Sequence, residues 1–348
     1  MQNSVIKKLT VEASGKYDVL IGQGLIDNIG EYLLEVIGTC KIAIITDDVV
    51  NNLYVDRVIS SLTKKSFNVV KFVFKNGESS KNLNTYCEIM NFLAENELTR
   101  SDAIVALGGG VVGDMAGFAS ATYLRGIKYV QVPTTLLSQV DSSIGGKTAV
   151  DLDMGKNLVG AFKQPSLVLC DVDTLKSLPE EIYLDGMGEV LKYAILDKKV
   201  FDLLSSDNHD LADLIYLCLD YKRRVVEIDE FEKHERKLLN LGHTPAHAIE
   251  KLSKYQILHG VAVGMGLKIM LDGAKNCKIM SDEDYKKIVN ALSKYGVLKD
   301  CPYSKEQILS AVGSDKKRSA NDISLVVPKT VGKVEIIKVP LEDVKEYI

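Results

Sequence analysis

From Tyr17 to about Asp171 the chain repeats one pattern: a short apolar run, a turn, then a longer stretch with helical spacing. Residues 17–21, 41–46, 68–74, 103–107, 129–132 and 167–170 read as strands, several of them continuously apolar, as strands buried on both faces are. Helical patterns such as residues 82–96 separate them. Strands alternating with helices imply right-handed crossovers, and hence an α/β domain with a mostly parallel, Rossmann-like sheet.

After Asp171 the texture changes. Pro179 to about Gly313 reads as successive helices, and only residues 323–327 and 334–339 look extended. Two domains are expected: residues 1–177, α/β, and residues 178–348, mainly α-helical, with a site in the cleft between them. A chain of 348 residues with 46% apolar content supports two cores. The six cysteines lie far apart with no Cys-x-x-Cys pair, which fits reduced thiols in a cytoplasmic protein. The N-terminal Met-Gln-Asn-Ser-Val-Ile-Lys-Lys lacks the apolar core of a signal peptide. No apolar run approaches the roughly 18 residues of a membrane span. A net charge of −4 gives no general attraction to nucleic acid, so an anionic ligand must be met by locally placed lysines and arginines.

Residues 103–107 run into Gly108-Gly109-Gly110-Val-Val-Gly113-Asp114, formally a G-x-G-x-x-G at a helix start. Such glycines let backbone approach a pyrophosphate, while the helix N-terminus supplies amide donors and positive potential. No carboxylate stands about twenty residues on, so Asp47, at the end of an earlier strand, or Glu78 is the expected ribose ligand. Thr134 and Thr135 follow the next strand. In Gln139-Val-Asp141-Ser142-Ser143-Ile-Gly145-Gly146-Lys147-Thr148 the Gly-Lys-Thr ending resembles a phosphate loop, but Asp141 stands where that loop needs glycine. Lys147 and Lys156, each beside glycine, are expected anion ligands.

Three of the five histidines fall within 243–259. His243 and His247 share the helical spacing of a two-histidine metal clamp. Thr244-Pro245, however, reads as an N-cap and first helical residue, which would leave His243 outside the helix and turn the two rings apart. His243 is therefore paired with His259, and His247 is given another task. A catalytic metal needs a third protein ligand. Glu189, on a partly buried helix face with Lys192 three residues on, either supplies it or forms an internal salt bridge.

Gly109-Gly-Val-Val-Gly-Asp-Met-Ala-Gly-Phe118, Tyr123-Leu-Arg-Gly126, Gln131-Val-Pro-Thr-Thr135, the Gln139 to Thr148 run, Gly155-Lys-Asn157, Glu189-Val-Leu-Lys-Tyr193, Asn240-Leu-Gly-His-Thr244, His247-Ala-Ile-Glu250, Leu258-His-Gly260 and Asp315-Lys-Lys317 together resemble the 3-dehydroquinate synthase family over nearly the whole chain. The resemblance implies a phosphorus–oxygen lyase of the shikimate pathway, dependent on NAD and on Zn²⁺ or Co²⁺, and a cytoplasmic homodimer. It assigns the metal to Glu189, His243 and His259. It assigns NAD to Asp47, Glu78, Lys81, Gly109, Gly110, Gly113, Asp114, Thr134, Thr135, Asp141, Ser142, Lys147, Lys156, Thr174 and Ser177. Substrate falls to Asp141, Lys147, Asn157, Lys192, Lys222, Arg236, Asn240 and His247, with Arg125 lent across the dimer and Lys316 or Lys317 at the phosphate. Departures from the family pattern are Glu180-Glu181-Ile182, Ala149-Val-Asp151 and Ala246; none removes a ligand.

The implied reaction converts 3-deoxy-D-arabino-heptulosonate 7-phosphate to 3-dehydroquinate and phosphate, with His247 as proton shuttle, Lys147, Arg236 and Arg125 as anion clamps and Asn240 as hydroxyl anchor. The competing readings are a sister sugar-phosphate cyclase, a metal-dependent polyol dehydrogenase of the glycerol dehydrogenase type, and a non-catalytic binding protein.

Overall fold

In the computed structural model, which describes residues 4–206, 209–316 and 322–348, the apolar runs of the first half pair into a seven-stranded sheet. Its strands are β1 (Ser4–Glu12), β2 (Lys16–Gln23), β3 (Lys41–Asp47), β4 (Asn68–Phe74), β5 (Ala103–Gly108) and β6 (Lys128–Pro133), closed by β9 (Leu167–Asp171) after a separate hairpin of β7 (Lys147–Leu152) and β8 (Gly155–Phe162). The spatial order is β1-β2-β9-β6-β5-β3-β4, with β1 antiparallel to β2 and every other pairing parallel.

Both faces of the sheet are covered, which is why β5 is buried at all six positions. Ile42, Ile44, Val105 and Leu107 face a core shared with α1 (Ile29–Ile37) and, beyond α2 (Asp48–Val50), with α3 (Asp56–Lys64). The alternate residues Ala43, Ile45, Ile104 and Ala106 face α4 (Leu83–Glu95) and α5 (Gly110–Thr122). Chain order and spatial order together locate the site. From β3 the chain steps outward to β4, then crosses back to β5 on the other side of β3, so the winding reverses between β3 and β5. The crevice at the carboxyl ends of such a strand pair is the usual ligand position of open α/β sheets. Asp47 and Gly108 stand at those two ends.

Strand β1 and the β7–β8 hairpin add to the strands expected from sequence. The stretch read as a ligand motif runs on into β7, which buries Thr148, Ala149 and Val150 in succession while Lys147 and Leu152 at its ends remain exposed. The chain divides into two compact units, Met1–Leu178 and Pro179–Ile348.

The second unit contains α6 (Glu180–Leu196), α7 (Lys198–Ser205), α8 (Leu211–Ile228), α9 (His243–Leu252), α10 (His259–Asn276), α11 (Asp282–Leu292) and α12 (Lys305–Lys316), followed by the hairpin β10 (Asp322–Thr330) and β11 (Lys333–Pro340). Helices α6 and α10 meet backbone to backbone. A Cβ on Gly188 would lie 1.8 Å from the carbonyl oxygen of Gly260, and one on Gly260 would lie 1.7 Å from that of Asp185. Among the described residues no helix is long and apolar enough to cross a membrane.

One buried carboxylate fastens the start of the first unit to its last strand. Asp171, at the end of β9, accepts hydrogen bonds from the backbone N–H groups of Gly24 at 3.0 Å, Ile26 at 3.1 Å and Asp173 at 3.1 Å. Asp171→Ala strips three N–H groups of their acceptor at about 1–3 kcal/mol each, so a loss of about 3 kcal/mol or more is expected in denaturant melts. An unchanged midpoint would contradict this role for the carboxylate.

Candidate metal centre and nucleotide cradle

Three helices of the second unit converge on Glu189. Its side chain is 2% exposed, and a carboxylate so buried requires cations around it. Lys192, one turn along α6, places Nζ 2.5 Å from Glu189 Oε2 and 4.7 Å from the centre of the Tyr193 ring. The other oxygen, Oε1, faces two imidazoles, with His259 Nε2 at 3.2 Å and His243 Nε2 at 3.4 Å. The sequence reading left salt bridge and metal ligand as alternatives; Glu189 has the geometry for both, one oxygen each. Glu189, His243 and His259 offer ligand atoms all within 4.8 Å of one another.

That spacing fits a metal. Donors bonded to tetrahedral zinc at about 2.0–2.1 Å stand roughly 3.3–3.4 Å apart, close to the 3.2 and 3.4 Å from Glu189 Oε1 to the two imidazole nitrogens. Electrostatics agree with it. Burial alone would raise the Glu189 carboxyl, but the Lys192 charge and then the two histidines outweigh it and hold it well below the usual range. Burial pushes His259 downward, yet hydrogen bonds to Glu189 and Glu250 lift it to about 10. The cluster attracts positive charge, whether a proton or a metal ion.

The expected cap at Thr244-Pro245 is corrected. Gly242, with φ 79°, is the N-cap, and His243 is the first residue of α9. Glycine takes the left-handed conformation there without strain, and proline is tolerated throughout a first turn, whose N–H groups have no helical partner. His243 and His247 therefore share a helix, their ring centroids 5.6 Å apart and the planes at 86°. Direction separates their roles: His243 turns Nε2 to Glu189, whereas His247 is exposed and lies outside the ligand set, its ring 6.4 Å from that of His259.

Of the other residues expected at the site in the second unit, Lys222 and Arg236 are buried and Asn240 is exposed. Asp229 organises the turn that carries Arg236 by accepting from the N–H groups of Lys233, His234 and Arg236 at 2.9, 2.6 and 3.1 Å. The Arg236 guanidinium donates to the Glu230 carbonyl, and Asn240 donates to Glu232 at 2.6 Å. The side chain of Lys316 and the whole of Lys317 lie outside the described residues.

The first unit builds a cradle at the sheet edge. Helix α5 starts at Gly110 with Gly109 as N-cap and no side chain capping it. A Cβ on Gly109 would lie 3.0 Å from Thr135 Cγ2, and one on Gly110 3.4 Å from Ser142 Oγ, so the glycines keep the first amides open between two side chains that can face a ligand. Gly113 lies against Gln131. Uncapped N–H groups at a strand-to-helix turn fit a dinucleotide pyrophosphate. Thr134 N–H donates to Gly108 O at 3.0 Å. Thr174 and Ser177 are tied to the Tyr54 hydroxyl.

Beside the cradle, Lys81 is 5% exposed and donates to Asp114 and to Asn157, each at 2.5 Å. Asn157, at φ 57°, donates its backbone N–H to Asp151 Oδ1 at 2.7 Å. Lys156 and Glu78 are paired at 3.5 Å. Asp47 is buried and Oδ1 caps α2 through Val49 and Val50, both at 2.9 Å. Asp141 lies in the helical turn Ser138–Ser142 and Lys147 at the exposed start of β7. Arg125 is exposed on a turn where Leu124, Arg125 and Gly126 have φ of 50°, 68° and 118°.

Sequence reasoning gave no role to Gln139, Asp151, Asp185 or Glu250. Gln139 is wholly buried and its amide donates to Pro133 O, Asp171 O and Thr174 Oγ1, joining two strand ends. Its motif was visible, but its partners lie up to 35 residues away.

Residues 71–185 match the family model described as 3-dehydroquinate synthase N-terminal, and residues 186–318 the one described as 3-dehydroquinate synthase C-terminal. A 3-dehydroquinate synthase of Streptococcus thermophilus (strain CNRZ 1066) is 42% identical over 342 residues, covering 95% of this chain and 96% of that one. A solved 2-deoxy-scyllo-inosose synthase complexed with carbaglucose-6-phosphate, NAD⁺ and Co²⁺ superposes with a TM-score of 0.85 at 26% identity, covering 98% of this chain and all of that one. A 2-epi-5-epi-valiolone synthase from Streptomyces hygroscopicus with NAD⁺ and Zn²⁺ bound shares the fold, with a TM-score of 0.85, 22% identity and 97% of each chain covered.

Metal binding should compete with protons. Because His259 holds a proton up to about 10 in the metal-free cluster, a metal must displace it. Apparent affinity for Zn²⁺ or Co²⁺ should therefore rise about tenfold per pH unit above neutrality, levelling near the pH at which His259 loses its proton. Chelator competition across that range checks the slope, and a flat profile would contradict it.

Proposed function

The chain belongs to the 3-dehydroquinate synthase family, and on that premise we propose how its residues divide the conversion of 3-deoxy-D-arabino-heptulosonate 7-phosphate to 3-dehydroquinate and phosphate. The observation that carries the reading is the buried carboxylate with two imidazoles at metal-ligand spacing and a lysine on its other oxygen. When bound, the metal supplies a Lewis acid for the substrate's hydroxyls, and NAD takes and returns the same two electrons, so that neither is consumed.

Glu189, His243 and His259 hold Zn²⁺ or Co²⁺. The open N-terminus of α5, with Thr135 and Ser142, holds the pyrophosphate of NAD; Gly109, Gly110 and Gly113 admit it, and Lys81 with Asp114 fixes the adjoining wall. Burial would lower the Lys81 ammonium, but Asp114 and Glu78 keep it above its ordinary value and therefore charged. Asp47, Glu78, Thr134, Asp141, Lys156, Thr174 and Ser177 complete the cofactor contacts.

Lys147, Asn157, Lys192, Lys222, Arg236 and Asn240 orient the substrate, the cations meeting its carboxylate and phosphate. Positioning of this kind is what the phosphate elimination requires, because the leaving phosphate can take the neighbouring carbon-bound proton itself. His247, beside the ligands yet outside them, carries the proton of the hydroxyl that is oxidised and later restored. Arg125, held outward by its left-handed turn, serves the phosphate of a partner's site in a homodimer. The six free thiols fit a cytoplasmic enzyme.

Metal-loaded protein with catalytic NAD and the heptulosonate phosphate should release phosphate and dehydroquinate in equal amounts, with no lasting reduced nicotinamide. Stoichiometric NADH without phosphate would mark a polyol dehydrogenase instead. His247→Ala should slow turnover about 10²-fold and change its pH profile; unchanged turnover and profile remove the shuttle role. Mixing Arg125→Ala with Glu189→Gln chains should restore about a quarter of wild-type activity, since half the dimers then carry one complete site. No recovery on mixing would place Arg125 in its own chain's site or remove it from catalysis.

A further inference from the structure

His259 is held from three directions, and only one of them is the metal side. Nε2 faces Glu189, while Nδ1 lies 3.4 Å from Glu250 Oε2. Its main chain opens α10, where Asp185 Oδ1 accepts from the N–H groups of Gly260 at 2.6 Å and Val261 at 3.3 Å. Asp185 and Glu189 are one turn apart on α6, so a single helix face holds both the end of α10 and the ring it presents. The contact of Gly188 with Gly260 fixes the spacing between the two helices.

The two histidine ligands are treated differently. His243 turns Nδ1 to the backbone carbonyl of Leu241 at 3.2 Å, a neutral acceptor. His259 turns it to a carboxylate that is 4% exposed. Glu250 lies seven residues after His243 on α9, two turns along the same face, so one helix delivers a ligand and the group that orients another.

We infer that Glu250 is a positioning residue. Its carboxylate holds His259 in the tautomer protonated at Nδ1, so that Nε2 points to the metal, and its negative charge makes that imidazole the stronger donor of the pair. Asp185 fixes the backbone end of the same residue. Outer carboxylates of this kind typically change metal affinity 10- to 100-fold. The inference rests on the reading of Glu189, His243 and His259 as metal ligands, and goes beyond it by assigning the geometry of His259 to a group that touches neither metal nor substrate.

The experiment measures Zn²⁺ and Co²⁺ affinity of the full chain by chelator competition, together with the visible spectrum of the Co²⁺ form. Glu250→Gln keeps the shape and removes the charge; affinity should fall roughly 10- to 100-fold and the Co²⁺ bands should shift. Glu250→Asp, which keeps the charge, should recover part of the affinity. Nitrogen-15 imidazole spectra of the Zn²⁺-loaded wild type test the tautomer without any variant, and should show His259 protonated at Nδ1. Affinity and spectrum unchanged in Glu250→Gln, or His259 protonated at Nε2 in the loaded wild type, overturns the inference. If the wild type itself retains neither ion, the metal reading falls and this one with it; equal binding by wild type and variant removes this one alone.

Discussion

Burying a carboxylate among helices is tolerable only when positive charge meets it on every open side, and the second unit is arranged around that demand. Glu189 lies on the stretch of α6 that is continuously buried from Gly186 to Leu196. Lys192 answers one oxygen and the two imidazoles answer the other. The ring positions depend on backbone packing: Gly188 and Gly260 let two helices touch, and Asp185 holds the amides that this contact would otherwise strand. A side chain at either glycine would separate the helices and open the ligand set.

The first unit meets a different demand, keeping backbone rather than charged side chains open at the end of a strand. Reversal of winding between β3 and β5 leaves a crevice at their carboxyl ends, and the glycines keep the first turn of α5 clear of side chains. Full-charge groups there are compensated within the protein: Lys81 with Asp114, Lys156 with Glu78. The cradle thus presents amide dipoles and hydroxyls, which suit a dinucleotide that must stay bound through both oxidation and reduction.

Much of this was legible in the chain because it is local. Continuous apolar runs separated by helical spacing dictate a parallel sheet, and glycines after a buried strand dictate the open helix end. Three histidines near one another, with a glutamate on an apolar face, point to a metal. What sequence could not give is contact across long separations. Glu250 meets the His259 ring and Asp185 the Gly260 N–H from other helices, Asp185 from 75 residues away, and no local spacing encodes either. The misread Thr244-Pro245 cap has a local cause as well: threonine before proline is a good helix start, but a glycine two residues earlier starts the helix sooner. His243 and His259 do come together beside Glu189, but not for the reason the expected cap offered. The β7–β8 hairpin was obscured because β7 buries three successive residues, Thr148 to Val150, and so lacks the alternation that marks a strand.

The central claim is that one metal ion is held by Glu189, His243 and His259, with His247 beside it. Anomalous diffraction from crystals of the Zn²⁺-loaded protein tests this most directly. The account predicts a single strong peak about 2.0–2.2 Å from Glu189 Oε1, His243 Nε2 and His259 Nε2. A peak that binds His247 in place of His259, or that lies away from Glu189, would contradict it.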